Sequence, residues 1–264
     1  MIRLLVLDLD GTLLNRQKRI SARNRDALLR AERECGLRIA IGSGRQVCFA
    51  AAVAAPLQLE QNRGFIIGCD GQQILDCSSG ELIREAGIAA DVCSRLFSYA
   101  LRHGIEAHFE LGDEKDVLTE DGQGEALIRT RLSQLSSLDK AVLFTPAGCD
   151  AQQDYAYLRE AHAEAGSAVD AFLVAPHVID FVAAGISKVT GIRRIMERLN
   201  LAREEVLAMG DGENDLPCAL AYPFSAMANA MPSVKAAADR ITLDNESDGV
   251  AFEVERSILH ACIR

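Results

Sequence analysis

Residues 6–15 read VLDLDGTLLN. A run of branched apolar residues without polar alternation fits a strand in a sheet buried on both faces. This one delivers two aspartates, Asp8 and Asp10, at its end, followed by Gly11. Burying a carboxylate is costly unless it is paired or holds a metal, so the strand raises a chemical question as well as a structural one.

The segments that follow alternate between strand and helix. SARNRDALLRAERECG (21–36) reads as a helix, with Ser21 as N-cap and Gly36 as its stop. LRIAIGSGR (37–45) is a second strand ending in glycines, and QVCFAAAVAAPL (46–57) is a second helix ended by Pro56. GFIIGCDGQQIL (64–75) is a third strand running into a turn. This order predicts an α/β, Rossmann-like parallel sheet covered by helices.

From about residue 80 the texture changes. IAADVCSRLFSYALRHG (88–104) is an amphipathic helix, and IEAHFEL (105–111) alternates as a half-buried strand does. A helix near GEALIRTRLSQL (124–135), the strand AVLFTP (141–146) and a helix DYAYLREAHAEAG (154–166) follow. The strands AFLVA (171–175) and VIDFVAA (178–184) are separated only by Pro176 and His177, which predicts an antiparallel ribbon. Residues 81–184 are therefore expected to form an inserted α+β domain, within a core of 1–80 and 185–264. The buried-strand texture returns after the helix SKVTGIRRIMERLN (187–200), in EVLAMGDGEND (205–215) and the helix-strand passage SVKAAADRIT (233–242).

Composition narrows the function. Of 264 residues, 49% are hydrophobic and 25% charged, as in an ordinary globular protein. The formal net charge of -10 argues against nucleic acid or an anionic membrane as partner, since both require basic patches. A small anionic substrate stays possible, because a bound cation inverts the local field. The eight cysteines contain no CxxC pair, which disfavours a zinc site. Nothing before the first strand resembles a secretory signal, so free thiols and a cytoplasmic location are expected. No apolar run approaches the ~20 residues of a membrane-spanning helix. The oligomeric state is left open.

In open parallel sheets, ligands bind at the carboxyl ends of the strands. Four stretches fall at that edge: Asp8 with Asp10; Ser43, Gly44 and Arg45; Lys188; and Asp211 with Asn214 and Asp215. Carboxylates suit a hard divalent cation such as Mg2+, while glycine-flanked amides, a hydroxyl and an ammonium suit phosphate. Each stretch has a duller alternative: a capped turn at Asp8 and Asp10, an exposed first-turn lysine, a solvated GDGEND loop. Arg45 is compatible with phosphate or with an ion pair to a neighbouring helix. The order and spacing of all four stretches carry the reading.

These stretches resemble the motifs of the haloacid dehalogenase-like superfamily. DLDGTLL (8–14) is similar to its first motif, IAIGSGR (39–45) to its second, GISKVTGI (185–192) to its third and GDGENDLPCA (210–219) to its fourth. The tail AMANAMPSVKAAADRITLDNESDGVA (226–251) resembles the Cof-type branch, which includes sugar-phosphate phosphatases. The inserted domain occupies that branch's cap position. Two departures stand out: Asp70 in GCDGQQI replaces a common asparagine, and Ala184 a frequent proline.

The resemblance implies a Mg2+-dependent phosphatase of small phosphorylated metabolites. Asp8 would be the nucleophile and form an aspartyl-phosphate, with Asp10 as general acid and base. Asp8, Asp211 and the main-chain carbonyl of Asp10 would hold the metal, supported by Asp215. Lys188, the Ser43 hydroxyl, the Leu9 and Gly44 amides and Asn214 would bind the phosphoryl group. ATP-driven pumps of the superfamily carry threonine at the position of Asp10, so aspartate favours hydrolysis, with phosphomutase chemistry on hexose phosphates as the alternative. A non-catalytic binder is a third possibility, disfavoured by intact Asp8, Asp10, Lys188 and Asp211. His108, Glu110, His177 and Asp180 are placed on cap strands, each more in keeping with ordinary surface than with substrate contact. His103, His162 and His260 are assigned no role.

Overall fold

The computed structural model describes residues 1–262. They divide into two compact units, Met1–Arg84 with the chain from Ser187 on, and Glu85–Ile186. The first unit begins with β1 (Leu4–Asp8), α1 (Ala22–Cys35), β2 (Arg38–Gly42), α2 (Val47–Ala54), β3 (Phe65–Gly68), β4 (Gln73–Asp76) and β5 (Leu82–Arg84). The second contributes β6 (Ile88–Ala89), α3 (Ala90–His103), β7 (Glu106–Leu111), β8 (Glu114–Leu118), α4 (Glu125–Gln134), β9 (Ser137–Leu138), β10 (Lys140–Phe144), α5 (Ala151–Ala165), β11 (Val169–Ala175) and β12 (Val178–Ala183). The chain resumes the first unit with α6 (Lys188–Leu199), β13 (Val206–Gly210), α7 (Leu216–Ala221), β14 (Phe224–Ala226), α8 (Pro232–Ala237), β15 (Arg240–Ile241) and α9 (Gly249–Val254). Among the described residues, no helix is long and apolar enough to cross a membrane.

The first unit is built on an eight-stranded sheet in the order β15-β14-β13-β1-β2-β3-β4-β5. Every residue of β1 is buried, and it pairs in parallel with β13 on one side and β2 on the other. Local signals set the ends of α1: the Ser21 side chain accepts from the Asn24 amide, and Gly36 takes the left-handed conformation at φ 66°. The sheet is not parallel throughout. β4 runs antiparallel to β3, because the short turn over Cys69–Gly71 leaves no room for the crossover that a parallel partner needs, and β5 pairs antiparallel with β4 in turn. From β1, the order runs through β2 and β3 to one side and through β13, β14 and β15 to the other. The carboxyl ends of β1 and β13 therefore flank the point where the strand order reverses, the place where such sheets open a crevice.

The second unit has a five-stranded antiparallel sheet, β11-β12-β10-β7-β8, and the small pair β6-β9. Alternation along β7 turns Ala107 and Phe109 into the core, where Phe109 meets Phe97 of α3 edge to face at 6.0 Å. β8 escaped the sequence because its apolar content is low: EKDVL buries only Asp116 and Leu118 on its inner face. The β11–β12 ribbon forms as expected, but His177 lies in its turn, at φ 66°, and not on a strand.

That turn is pinned by Asp154 of α5, which is 2% exposed. Its carboxylate accepts from the His177 amide at 3.1 Å and meets His177 Nδ1 at 3.2 Å and the Thr145 hydroxyl. Removing it strands a buried hydroxyl and an amide, a loss of about 1–3 kcal/mol. Asp154→Ala is expected to lower the urea midpoint and to speed amide exchange at His177; unchanged protection of that amide would contradict the pinning role.

Candidate active site

Asp8 closes β1 and is 7% exposed; Lys188 opens α6 and is 2% exposed. The Lys188 ammonium donates to Asp8 Oδ1 at 2.6 Å and to Asp215 Oδ1 at 2.6 Å. Its stem passes Gly42, where a Cβ would lie 3.5 Å from Lys188 Cδ. Asp215, in the turn after β13, is braced in turn: its Oδ2 accepts from the amides of Asp211 at 2.9 Å and Gly212 at 3.1 Å. Asp211 Oδ1 accepts from the Thr12 hydroxyl at 2.8 Å. Gly11, at φ 84°, lets the loop after β1 approach; a Cβ there would stand 2.2 Å from Asp211 Oδ2.

Burial works against the charge on Lys188, but Asp215, Asp8 and Asp70 outweigh it and hold the ammonium well above its ordinary pKa. Burial pushes the Asp8 carboxyl well up; Asp215 and Asp211 add to this while Lys188 opposes it. Asp211 is pushed up to about 7 by burial and by Asp215. Asp8, Asp211 and Asp215 each offer a carboxylate oxygen, all within 4.8 Å of one another. Three carboxylates facing one ammonium leave two negative charges uncompensated, the charge of one divalent cation. An oxygen-only donor set suits Mg2+, so the residues fit that ion.

The other expected residues are distributed around this cluster. The Asp10 side chain lies outside it: Arg45 Nε and Nη2 bond its two oxygens at 2.8 Å each, and Lys18 Nζ adds a contact at 2.6 Å. Burial raises the Asp10 carboxyl, but Arg45 and Lys18 prevail and hold it below the usual carboxylate range. Arg45 forms an ion pair, but with Asp10 of the loop after β1 and not with a neighbouring helix. Leu9 begins the turn after β1, and its carbonyl accepts from the Leu14 amide at 2.9 Å. Ser43 is 2% exposed and its hydroxyl accepts from the Arg45 amide at 3.2 Å, closing a turn around Gly44. Asn214 Nδ2 donates to Asp70 Oδ1 at 2.8 Å.

Sequence reasoning assigned no site role to Thr12, Lys18, Asp70 or Gly71. Asp70 is buried at φ 52°, and Gly71 at φ 114° presses against the start of α6: a Cβ there would fall 1.9 Å from the Ser187 carbonyl oxygen. The Asp-Gly pair was the available signal, as a turn that tolerates left-handed backbone. In the second unit, His108 bonds Glu106 at 2.6 Å, and Asp180 forms a buried ion pair with Lys140. His108 and Asp180 both stand opposite Val142, so they share the sheet face turned away from Phe109 and Phe181.

The electrostatics give a signed pH dependence. A carboxyl that ionises at about 4 when unfolded and at about 7 in the fold, as Asp211 does, keeps its proton longer in the native state. Without a cation its favourable contribution is complete below about pH 4 and is lost as pH rises through about 7. Thermal unfolding in EDTA is expected to show the metal-free protein losing stability across that window, with Mg2+ restoring it most at high pH. A stability gain from Mg2+ that is equal at pH 5 and pH 8 would contradict the assignment.

A family model described as haloacid dehalogenase-like hydrolase matches residues 5–254. Among curated proteins, the chain is 26% identical to 5-amino-6-(5-phospho-D-ribitylamino)uracil phosphatase YcsE of Bacillus subtilis, covering 98% of this chain and 96% of that one. It is 28% identical to the chloroplastic Endoribonuclease YBEY of Arabidopsis thaliana over 94% of its length, but spans only 45% of that protein. Among solved structures, a haloacid dehalogenase-like hydrolase from Bacteroides thetaiotaomicron superposes with a TM-score of 0.80 at 31% identity, covering 97% of this chain and 99% of that one. With the family match running from β1 through α9 and enclosing the whole carboxylate cluster, the chain belongs to the haloacid dehalogenase-like hydrolases and is an enzyme.

Proposed function

We propose that this enzyme is a Mg2+-dependent phosphatase that hydrolyses small phosphorylated metabolites through an aspartyl-phosphate on Asp8. The observation that carries the proposal is the Lys188 ammonium held 2.6 Å from both Asp8 and Asp215, with Asp211 beside them, at the switch point of the sheet. Asp8, Asp211 and Asp215 would hold the ion, together with the main-chain carbonyl of Asp10. When bound, Mg2+ supplies the positive charge that lets a carboxylate face an anionic phosphoryl group.

The chain's own residues do the rest. Asp8 attacks phosphorus through a carboxylate oxygen, and the leaving alcohol departs as the Asp8 acyl-phosphate forms. Lys188, the Ser43 hydroxyl and the amides of Leu9 and Gly44 bind the non-bridging oxygens, with Asn214 held toward them by Asp70. Asp10, ionised between Arg45 and Lys18, is ready to take a proton from the water that hydrolyses the acyl-phosphate. To protonate the leaving alcohol in the first half-reaction it must loosen that ion pair and gain a proton. Residues 85–186 act as the cap that selects the leaving group and excludes water.

Asp8→Asn is expected to abolish turnover of p-nitrophenyl phosphate in a chain that still folds, since Asp215 remains to pair Lys188 and the amide is isosteric but does not attack phosphorus. EDTA is expected to remove wild-type activity and Mg2+ to restore it. The substrate panel joins hexose phosphates with 5-amino-6-(5-phospho-D-ribitylamino)uracil, the compound in the name of the Bacillus subtilis relative. Near-normal turnover by Asp8→Asn, with deamidation excluded by mass, would sink the nucleophile; full activity of metal-stripped enzyme would sink the metal.

A further inference from the structure

Residues 227–251, the tail after β14, have no part in the chemistry described so far, yet they reach the carboxylate cluster. Asn229 Nδ2 donates to the Gly11 carbonyl at 2.7 Å and lies 3.4 Å from Asp211 Oδ2. Its own Oδ1 accepts from the Asn245 amide at 3.1 Å, and Asn245 Nδ2 donates to the Leu14 carbonyl at 2.8 Å. Two residues after Asn229, the Met231 amide donates to the Asp211 carbonyl at 2.9 Å. One asparagine thus joins three loops: the one after β1, the one after β13 and the tail itself.

The geometry around Asp211 makes this junction consequential. Thr12 occupies Oδ1, Asn229 Nδ2 approaches Oδ2 from the tail, and Gly11 packs so closely that not even a Cβ would fit. The Gly11 carbonyl that Asn229 grips belongs to the residue next to Asp10, so the same bond steadies the backbone from Asp8 to Leu14. A carboxylate that must meet a small, geometrically demanding ion loses affinity when its orientation is left free.

We propose that Asn229 is a positioning residue for the divalent-cation site. By tying the Gly11 carbonyl to Asp211, and by being held in turn by Asn245, it fixes the Asp211 carboxylate toward Asp8 and Asp215 and sets the affinity for Mg2+. This rests on Asp211 being a metal ligand.

The test is calorimetric titration of MgCl2 into the metal-stripped full chain, together with the Mg2+-induced rise in melting temperature. Asn229→Ala is expected to bind Mg2+ roughly tenfold more weakly, at the low end for groups that orient metal ligands because the side chain is exposed. Its metal-free melting temperature stays near wild type, and turnover lost at low Mg2+ returns at high Mg2+, the signature of an affinity defect. Asn229→Ser, which keeps a short donor, recovers part of the affinity. Asn245→Ala weakens binding in the same direction by a smaller factor, and decides the matter if Asn229→Ala does not fold. Mg2+ affinity within twofold of wild type in Asn229→Ala, or in Asn245→Ala should that be the only folded variant, overturns the proposal. A wild-type chain that takes up no Mg2+ overturns the metal reading and the proposal with it, a result distinct from an unchanged variant.

Discussion

A lysine ammonium buried between two carboxylates is an expensive object. Taking each ion out of water costs several kcal/mol, and removing one partner of such a pair costs about 3–5 kcal/mol because a buried charge is left exposed to nothing. Lys188 between Asp8 and Asp215 is therefore a constraint on the whole first unit. It requires the end of β1, the start of α6 and the turn after β13 to converge to hydrogen-bond distance. The lysine stem runs past Gly42, and the left-handed turn at Asp70 and Gly71 packs directly on the residue before Lys188. The parallel pairing of β13, β1 and β2 aligns these ends.

Around that centre the protein separates its carboxylates by environment. Asp8 and Asp211 are pushed toward their neutral forms, and so are primed to gain from any added positive charge. Asp10, two residues from Asp8, is held ionised by two cations of its own. Neighbouring carboxyl groups whose environments drive them in opposite directions suit a division of labour between electrostatic and proton-transfer roles.

Much of this was legible in the chain. Apolar runs ending in Asp8, Gly42 and Gly210 announce strands with chemistry at their carboxyl ends, and Ser21 and Gly36 mark the limits of α1 with no help from packing. What was not legible has physical causes. β4 turns back because of a three-residue turn, a decision made by the backbone of Asp70 and Gly71 and invisible to hydrophobic periodicity. β8 is short and charged, so its strand character comes from its pairing with β7 and not from its composition. Arg45 offered two partners of equal appeal, and only the fold brings Asp10 to it, 35 positions away in sequence. Asn229 is a lone polar residue in an alanine-rich stretch; its contacts with Gly11 and Asp211 span 218 and 18 positions. Long-range polar contacts of this kind leave no local signature.

The placement of β1 also has a consequence for how the chain is made. β1 is central, but one of its two neighbours, β13, and the cation that balances Asp8 come from residues synthesised much later; Lys188 follows Asp8 by 180 positions. At about 5–20 residues per second, translation delays that encounter by roughly ten to forty seconds. During this interval the nascent chain holds β1 with one edge unpaired and Asp8 without its counter-charge. An open strand edge of apolar residues is a template for mispairing. Pairing with β13 closes that edge, and the first turn of α6 delivers the Lys188 charge to Asp8.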